Sequence, residues 1–570
     1  MRYSIKYVVF AMIIMVIGNV KINMFTSDNS LVKGEREVYG QSLWNSYISD
    51  SVNDKKITLL IDGTEADISQ REIFMDENLN IMISYKKLGQ NFNCSVNLYD
   101  SDRLVLEKYN TTIEMVLNSG TAYVNDSEVE MSSPVYTGEG DVYVPLELVA
   151  KELNYDYQWD IVNNQILTIN NASNIQIVPY AYDMRNVYRN STVKNQGRFG
   201  TCWAFASLTA IESALLPEES LELSPDHMTL KNSFSASQND GGEYTMATAY
   251  LTSWQGPVYE ADDPYGDGVS PDNLTAVKHV QEVQIIPEKN YEKIKEAVYK
   301  YGGVQSSLYL SLASPTSSSV YYNRDDYAYC YKGEAKPNHD VVIIGWDDNY
   351  PKENFNMDLE EDGAFICQNS WGESFGDNGV FYISYYDVNI GIHNVVYSLV
   401  EDTDNYDNIY QSDLCGWVGQ LGYGRESVYF ANVYTAGGKE SIDAAGFYAT
   451  GGNTEYEIYY IKDFTDTTSF DVPNRKFIKK GKFENAGFYT VEFPEPEEVE
   501  EGERFAVMIY ITTPNSVHPA AIEYNADEST KNVDLSDGEG YISNRGNGWD
   551  SVEETQSCNL CLKVYTKDIE

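Results

Sequence analysis

One cysteine, Cys202, lies in the stretch Val193 to Ile211, VKNQGRFGTCWAFASLTAI, between a glycine turn and the start of a helical pattern. Free N–H groups and the positive end of the helix dipole favour a negative sulfur, so a thiolate there is expected at lower pH than in a free thiol. That makes Cys202 a candidate nucleophile. A nucleophilic thiol needs a base, and histidine suits that role near neutral pH. The chain has five: His227, His279, His339, His393 and His518. His227 falls in the polar SPDHMTL, His279 in VKHVQEV, which reads as an exposed helix, and His518 beside Pro519 in a distal loop. His339 opens HDVVIIGW, a near-continuous apolar strand of the kind buried in a sheet. It is the preferred base, and His393 in GIHNVVY is the weaker competitor. An amide oxygen can orient the imidazole through its other nitrogen. Asn369 fits, because it ends the apolar strand AFICQN and is followed by Ser370, Trp371 and Gly372, so that the Trp371 ring can cover the His/Asn bond from water.

Positioning these groups requires a core helix and a sheet. After Cys202, Ala204, Leu208, Ile211 and Leu215 form one helical stripe that stops before Pro217. Upstream, short apolar alternations from Ile57 to Ile169 predict a small β-rich domain. It ends in a helix over Leu146 to Leu153, a strand with Tyr155, Tyr157 and Trp159 at period two, a turn at Asn163-Asn164 and a returning strand Gln165 to Ile169. From Asp404 onward, SIDAAGFY, YEIYYI, FYTVEF, RFAVMIYIT, AAIEY and CNLCLKVYT predict an antiparallel sandwich. The acidic run EPEEVEEGE, Glu495 to Glu503, reads as a solvated edge loop.

At 570 residues the chain exceeds one core, and three domains are expected. The net charge of −47 repels nucleic acid and anionic lipid. Arg2 and Lys6 followed by the apolar run Tyr7 to Val20 read as a secretory signal, with an uncleaved N-terminal anchor as the alternative. Seven scattered cysteines are few for a disulfide-stapled exported chain, so the cores must hold the folds. Cys558 and Cys561, three apart in a strand, face opposite sides and read as buried thiols.

Three motifs, NQGRFGTCWAF (Asn195 to Phe205), NHDVVIIGW (Asn338 to Trp346) and CQNSWGESFGDNGVFYIS (Cys367 to Ser384), together resemble the papain-like cysteine peptidases. The order Gln, Cys, His, Asn is that family's. His339 follows Cys202 by 137 residues, within the separation of about 130 to 150 of papain-type enzymes. Asn369 follows by 167, and an exposed acidic loop over Asp347 to Asp362 accounts for the surplus. The resemblance covers about 220 residues. It implies Cys202 as nucleophile, His339 as base and then acid, Asn369 as orienter, and Gln196 as an oxyanion-hole donor beside the Cys202 N–H. It also implies that Gly241 and Gly242 bind substrate backbone. Asp340, after the catalytic histidine, falls where the family lines its S2 pocket. There it favours a basic or polar P2 side chain if it points inward; facing solvent or pairing with a neighbour are the alternatives. The family's usual disulfide at the nucleophile is missing, since Phe199 and Lys231 hold its places, and so is its helical propeptide signature.

VYVPLELVAKELNYDYQWDIVNNQILTI resembles the end of a copper amine oxidase N-terminal-like domain. The first 226 residues contain no histidine for copper, so a spacer or shielding role is expected. ESIDAAGFYA, GFYTVEF and EGERFAVMIYI resemble the lectin-like domain of clostridial cell-surface cysteine proteases. The expectation is therefore a multidomain α+β chain. Its parts are a signal peptide or anchor (1–24), a β-rich domain (25–175), a two-subdomain peptidase with a helical and a β-barrel-like half (176–403), and a lectin-like β-sandwich (404–570). The polar NNASNIQ before the peptidase is a candidate processing site. The expected activity is a secreted or cell-surface endopeptidase acting on extracellular proteins, without cofactor or metal. It is expected to be a monomer with no nucleic-acid partner, and cell-wall or glycan contact through the C-terminal domain is left open. A non-catalytic surface adhesin and a thiol acyltransferase on wall peptides are the alternatives.

Overall fold

The computed structural model describes residues 57–569 with short breaks up to residue 177. The leader segment, and residues 172–176 of the candidate processing site NNASNIQ, therefore lie outside the described residues. The chain divides into two compact units, Met1–Asn174 and Ile175–Glu570.

In the first unit, a five-stranded antiparallel meander runs from Ser95–Tyr99 to Ser127–Glu130. Leu104, Leu106, Ile113, Met115 and Ala122 alternate onto its inner face and are fully buried, as period-two patterning requires. The helix Leu146–Glu152 then leads into the antiparallel hairpin Tyr155–Asp160 and Ile166–Asn171. The helix and the two strands match the sequence pattern, while the expected turn at Asn163-Asn164 lies outside the described residues. The second hairpin strand also pairs in parallel with Thr58–Ile61, a contact between segments a hundred residues apart that no local pattern announces.

The second unit is built around the helix Cys202–Leu215. A single buried stripe was the expectation; instead every residue from Trp203 to Ser213 is buried. The helices Pro225–Leu230 and Tyr244–Thr252 cover one side, and the strands Val304–Leu308, His339–Asp347 and Asn394–Glu401 cover the other. A helix enclosed on all sides must satisfy its polar groups internally. Ser207 Oγ donates to Gln305 Oε1 at 2.7 Å, Ser213 Oγ accepts from Gly303 N–H at 2.7 Å, and Glu212 accepts from Ser191, Lys194 and the Leu223 N–H.

One 13-stranded sheet runs through the unit. Its order passes Val380–Ser384, Ala364–Gln368, His339–Asp347, Val304–Leu308, Asn394–Glu401 and His279–Ile285. From there it crosses to Ala486–Val499, Glu440–Ala449 and Leu562–Asp568. A six-stranded sheet containing Thr454–Ile461, Arg504–Thr512 and Ser427–Thr435 faces this far end. Phe447, Val491 and Leu562 on one side meet Phe430, Ile458 and Val507 on the other, forming the core of the predicted sandwich.

His279, expected on an exposed helix, begins the strand His279–Ile285, which is paired on both edges. Its buried polar residues find partners across the junction: Thr490 Oγ1 donates to Gln281 Oε1 at 2.6 Å and Asn485 Nδ2 to Gln284 Oε1 at 2.9 Å. Polar residues that pair with another domain look solvent-directed when read in sequence.

Two further expectations are corrected. The segment 347–362 is not merely an exposed loop, because Tyr350, Phe355 and Leu359 bury themselves against Ala328, Cys330 and Ala364. The acidic run beginning at Glu495 stays in the strand Ala486–Val499, paired with Glu440–Ala449, and only its end forms a turn. All seven cysteines are free. Cys558 and Cys561, expected within one strand, instead flank the two-residue strand Asn559–Leu560, and they are buried in different core clusters. Among the described residues, no helix is long and apolar enough to cross a membrane.

Candidate active site

Cys202 is the first residue of its helix, half-buried, behind Thr201 as N-cap. Thr201 makes no side-chain cap bond; its hydroxyl instead meets the Tyr265 hydroxyl at 2.7 Å. The sulfur lies within reach of the backbone N–H groups of Cys202, Trp203 and Asp340. Asp340 follows His339 directly, so the strand end that carries His339 lies over the helix start that carries Cys202.

The imidazole is oriented by Asn369. His339 Nε2 and Asn369 Oδ1 are 2.7 Å apart, and Asn369 Oδ1 also accepts from the Ser370 backbone N–H at 2.8 Å. A backbone N–H can only donate, which identifies the Asn369 atom as oxygen and makes Nε2 the protonated ring nitrogen. Nδ1 is then left with its lone pair. The Trp371 ring lies 5.3 Å from His339, and both His339 and Asn369 are buried.

Gln196 is fixed by the same logic. Its Nε2 donates to the Phe199 carbonyl at 2.8 Å, and its Oε1 accepts from Ser370 Oγ at 2.6 Å. A second N–H remains on Nε2. The Gln196 backbone is held by its N–H to Ser370 O at 2.9 Å and by its carbonyl accepting from the Tyr265 hydroxyl at 2.9 Å. Ser370 and Tyr265 thus position the Gln196 segment, a role sequence reasoning missed. Ser370 stood inside the quoted motif, whereas Tyr265, more than sixty residues beyond Cys202, carried no signal.

Gly241 takes φ +82° and its backbone lies 3.1 Å from a Cβ built at Gly200, so loop and loop meet at glycine. A Cβ at Gly242 would come within 2.5 Å of Trp203 Nε1. Both glycines therefore border the helix start. Asp340 turns inward and is buried, its Oδ2 accepting from Gln305 Nε2 at 2.9 Å, with Ser307 also bonded. Burial raises Tyr244, with the Glu243 and Asp340 charges adding to the rise, and its ring lies 6.0 Å from that of the exposed His393.

Electrostatically the site departs from the simple helix-end expectation. Burial pushes the Cys202 thiol up to about 12, with the Asp340 charge adding to the rise, and the backbone N–H groups oppose it without prevailing. Burial also lowers His339, against the Asn369 bond and the Asp340 charge. Burial thus works against the charged form of both groups, opposed at the sulfur by the backbone N–H groups and at the imidazole by the Asn369 bond and the Asp340 charge.

The other histidines are used elsewhere. His227 is buried, with Nδ1 2.6 Å from the Tyr250 hydroxyl, and burial lowers it to about 4. His279 stacks on Trp254 at 3.7 Å and bonds Asn405. His518 is exposed. At the two missing-disulfide positions, Phe199 packs edge-on to Tyr265 and Lys231 pairs with Asp272.

Family models match three regions: the copper amine oxidase N-terminal domain over residues 60–168, the papain family cysteine protease over 178–400, and a lectin like domain over 409–566. Cathepsin K of Mus musculus is 30% identical over 209 residues, 35% of this chain and 58% of that protein. A viral cathepsin of Heliothis zea nuclear polyhedrosis virus is 28% identical over 234 residues, 40% of this chain and 57% of that protein. The chain thus spans less than two thirds of these curated relatives. Among solved structures, the clostridial cysteine protease Cwp84 after propeptide cleavage is 26% identical with a TM-score of 0.60, covering 68% of this chain and 99% of that chain. The cysteine protease and lectin-like domains of Cwp84, a surface layer associated protein of Clostridium difficile, are 25% identical with a TM-score of 0.60, covering 69% and 90%. Residues 178–400 of this chain are therefore a papain-family cysteine protease domain, followed by a lectin-like domain and preceded by a copper amine oxidase N-terminal domain.

Proposed function

We propose that the chain is a secreted or cell-surface cysteine endopeptidase that hydrolyses extracellular proteins through an acyl-enzyme. The observation that carries this reading is the juxtaposition of an Asn369-oriented imidazole, its Nδ1 unprotonated, with a thiol at a helix start. The Cys202 proton passes to His339 Nδ1 as the sulfur attacks the peptide carbonyl. The tetrahedral oxyanion is met by the Cys202 N–H and the remaining Gln196 N–H. His339 then protonates the leaving amine, and a water deprotonated by the same nitrogen releases the acid product. Labelling of Cys202 by an epoxide-type inhibitor, with cleavage of an unfolded protein, is the test; neither labelling nor cleavage would leave the adhesin alternative.

Gln196→Ala is expected to lower kcat about 10²-fold with little change in KM, since the oxyanion donor acts only on developed charge. Ser370→Ala frees the amide to turn and is expected to cost about tenfold in kcat. Steady-state kinetics on one peptide separates the two effects.

The pH profile of kcat/KM follows from the burial shifts. Protonating His339 removes the base, and its lowered value puts the acid limb below the ordinary histidine value of about 6.5. The thiol is raised, so the alkaline limb lies above the ordinary cysteine value of about 8.5. An acid limb above 6.5 would contradict the lowering of His339 by burial.

Substrate side chains are read at Asp340, Tyr244 and His393, which we assign to the S2 pocket, for P2, the second residue before the scissile bond. Gln305 and Ser307 bond the buried Asp340 carboxyl, and among the described residues no ion-pair partner within 4 Å accompanies it. A cationic P2 side chain supplies one. Surface placement is supported by the likeness to a surface layer associated protein. The lectin-like domain is proposed to contact glycan, with the protein acting as a monomer.

A further inference from the structure

We propose that the lectin-like domain holds one wall of the protease cleft in place for the substrate, with Asn532 and the turn from Asp527 to Ser529 as positioning residues for peptide hydrolysis.

The wall is the segment 231–243, which joins the helices Pro225–Leu230 and Tyr244–Thr252 without regular structure of its own. Its far end lies against the nucleophile. The Gln238 carbonyl accepts from the Gly200 N–H at 2.9 Å, and a Cβ at Gly242 would strike the Trp203 ring. Gly200 and Trp203 stand on either side of Cys202 in the chain. Among the described residues, neither Gly241 nor Gly242 uses a backbone N–H or carbonyl in a hydrogen bond, and Gly242 is exposed. Open backbone groups without side chains, beside a nucleophile, pair with an extended peptide only as well as their own position is fixed.

That position is fixed from two sides. Within the protease, Gln238 Nε2 donates to Asp226 Oδ1 at 2.6 Å and to Thr229 Oγ1 at 2.8 Å, and Asn232 Nδ2 donates to the Met228 carbonyl at 2.7 Å. Ser235, midway between Asn232 and Gln238, bonds only to the lectin-like domain among the described residues. Its N–H donates to the Ser529 carbonyl at 2.7 Å, and its hydroxyl accepts from Asn532 Nδ2 at 2.9 Å.

The lectin-like loop is itself stiffened. Asp527 Oδ1 accepts from the N–H and the hydroxyl of Ser529 at 2.8 and 2.6 Å, and the buried Thr530 accepts at Oγ1 from the N–H groups of Ala526 and Asp527 at 2.9 and 3.2 Å. A loop already ordered can order its neighbour; without it, the peptide must order the segment 231–243 on arrival. The cost then falls on substrate binding and leaves the proton transfer between Cys202 and His339 as it was. The role rests on the endopeptidase reading of the site and adds to it a task for the second domain.

The test is the double variant Asp527→Ala with Asn532→Ala in the full chain, both at exposed residues. KM for a peptide is expected to rise about threefold or more, with kcat within about twofold of wild type. Inactivation of Cys202 by a peptidyl epoxide should slow to match, whereas inactivation by iodoacetamide, which has no peptide backbone, should keep its rate. Asp527→Asn alone retains an oxygen for Ser529 and should retain the wild-type KM. Hydrogen exchange read by mass spectrometry should quicken over residues 231–243 of the double variant. A smaller rise in KM, a parallel loss of iodoacetamide reactivity, or unchanged exchange would each overturn the proposal. A wild-type chain that hydrolyses no peptide would defeat the endopeptidase reading, and the ratio of epoxide to iodoacetamide rates together with the exchange would still decide whether the second domain holds the wall.

Discussion

Cys202→Ala is expected to abolish peptide hydrolysis, lowering kcat by about 10⁵-fold or more, with the fold unchanged. The side chain lost is small and half-buried, so no large cavity opens beneath it. His339→Ala is expected to lose nearly as much, because thiol and imidazole act as one proton-transfer unit and their deletions do not add. Asn369→Ala should cost less, about 10²-fold, since it orients the ring without touching the reacting atoms. Active-site titration, steady-state kinetics and circular dichroism on the three variants check this ordering. An alanine variant at Cys202 that retains more than a hundredth of the activity would move the nucleophile elsewhere. The alternative of acyl transfer predicts the same losses but a different product, a new amide to an added amine in place of a free carboxylate, which mass spectrometry of the cleaved peptides separates.

Lys563→Met is expected to destabilise the second unit by about 3–5 kcal/mol. Lys563 Nζ bonds Asp413 Oδ1 at 2.9 Å and Gln411 Oε1 at 2.8 Å, and both charged side chains are fully buried. Removing the cation strands Asp413, whose Oδ2 already has no hydrogen-bond partner. Burial raises Asp413 and Lys563 restrains that rise, so the variant's Asp413 takes up a proton in the folded state well above the unfolded value of about 3.9. A folded value above the unfolded one means the penalty relative to wild type is small near pH 4 and grows as pH rises toward the folded value. Lys563→Met with Asp413→Leu, which removes both charges, should recover most of the loss. The effect should extend to the protease: the loop carrying Asp413 also holds Gln411 Nε2 on Ser253 O at 3.0 Å and Cys415 Sγ near Ser233 O. Urea unfolding at pH 4.5 and pH 7.5, followed by fluorescence and by residual peptidase activity, reads both consequences. Equal loss at the two pH values would contradict the buried-charge explanation.

Local pattern was most informative where chemistry and periodicity coincide. HDVVIIGW reads as a buried strand because eight of the nine residues of His339–Asp347 are in fact buried, and a strand enclosed on both faces has little room for polar side chains. The N-terminal hairpin and the sandwich strands were legible from alternation for the related reason that one face of each meets a core. The same logic misleads at the junction. His279–Ile285 contains His, Gln, Glu and Gln, which suggest water, yet the strand is sandwiched between two others and its amides bond the second domain. Likewise, the extra burial of the Cys202 helix comes from elements up to two hundred residues away, and the aromatic residues of 347–362 reveal their small core only beside Ala328 and Cys330.

The sequence by itself determined which side chains could react: one cysteine before a helix, one histidine at the head of an apolar strand, and a glutamine and an asparagine in the accompanying motifs. Side-chain type and periodicity are local properties, so these were readable without coordinates. The tertiary structure decided the rest. It set which imidazole nitrogen holds the proton, through a backbone N–H on Asn369, and which way Gln196 faces, through Ser370 and Phe199. It also set the direction in which Cys202 and His339 shift, where burial outweighs the helix end, and it joined the protease to the lectin-like domain through one sheet. Desolvation, hydrogen-bond direction and strand pairing depend on what lies across space, which the order of residues along the chain does not specify.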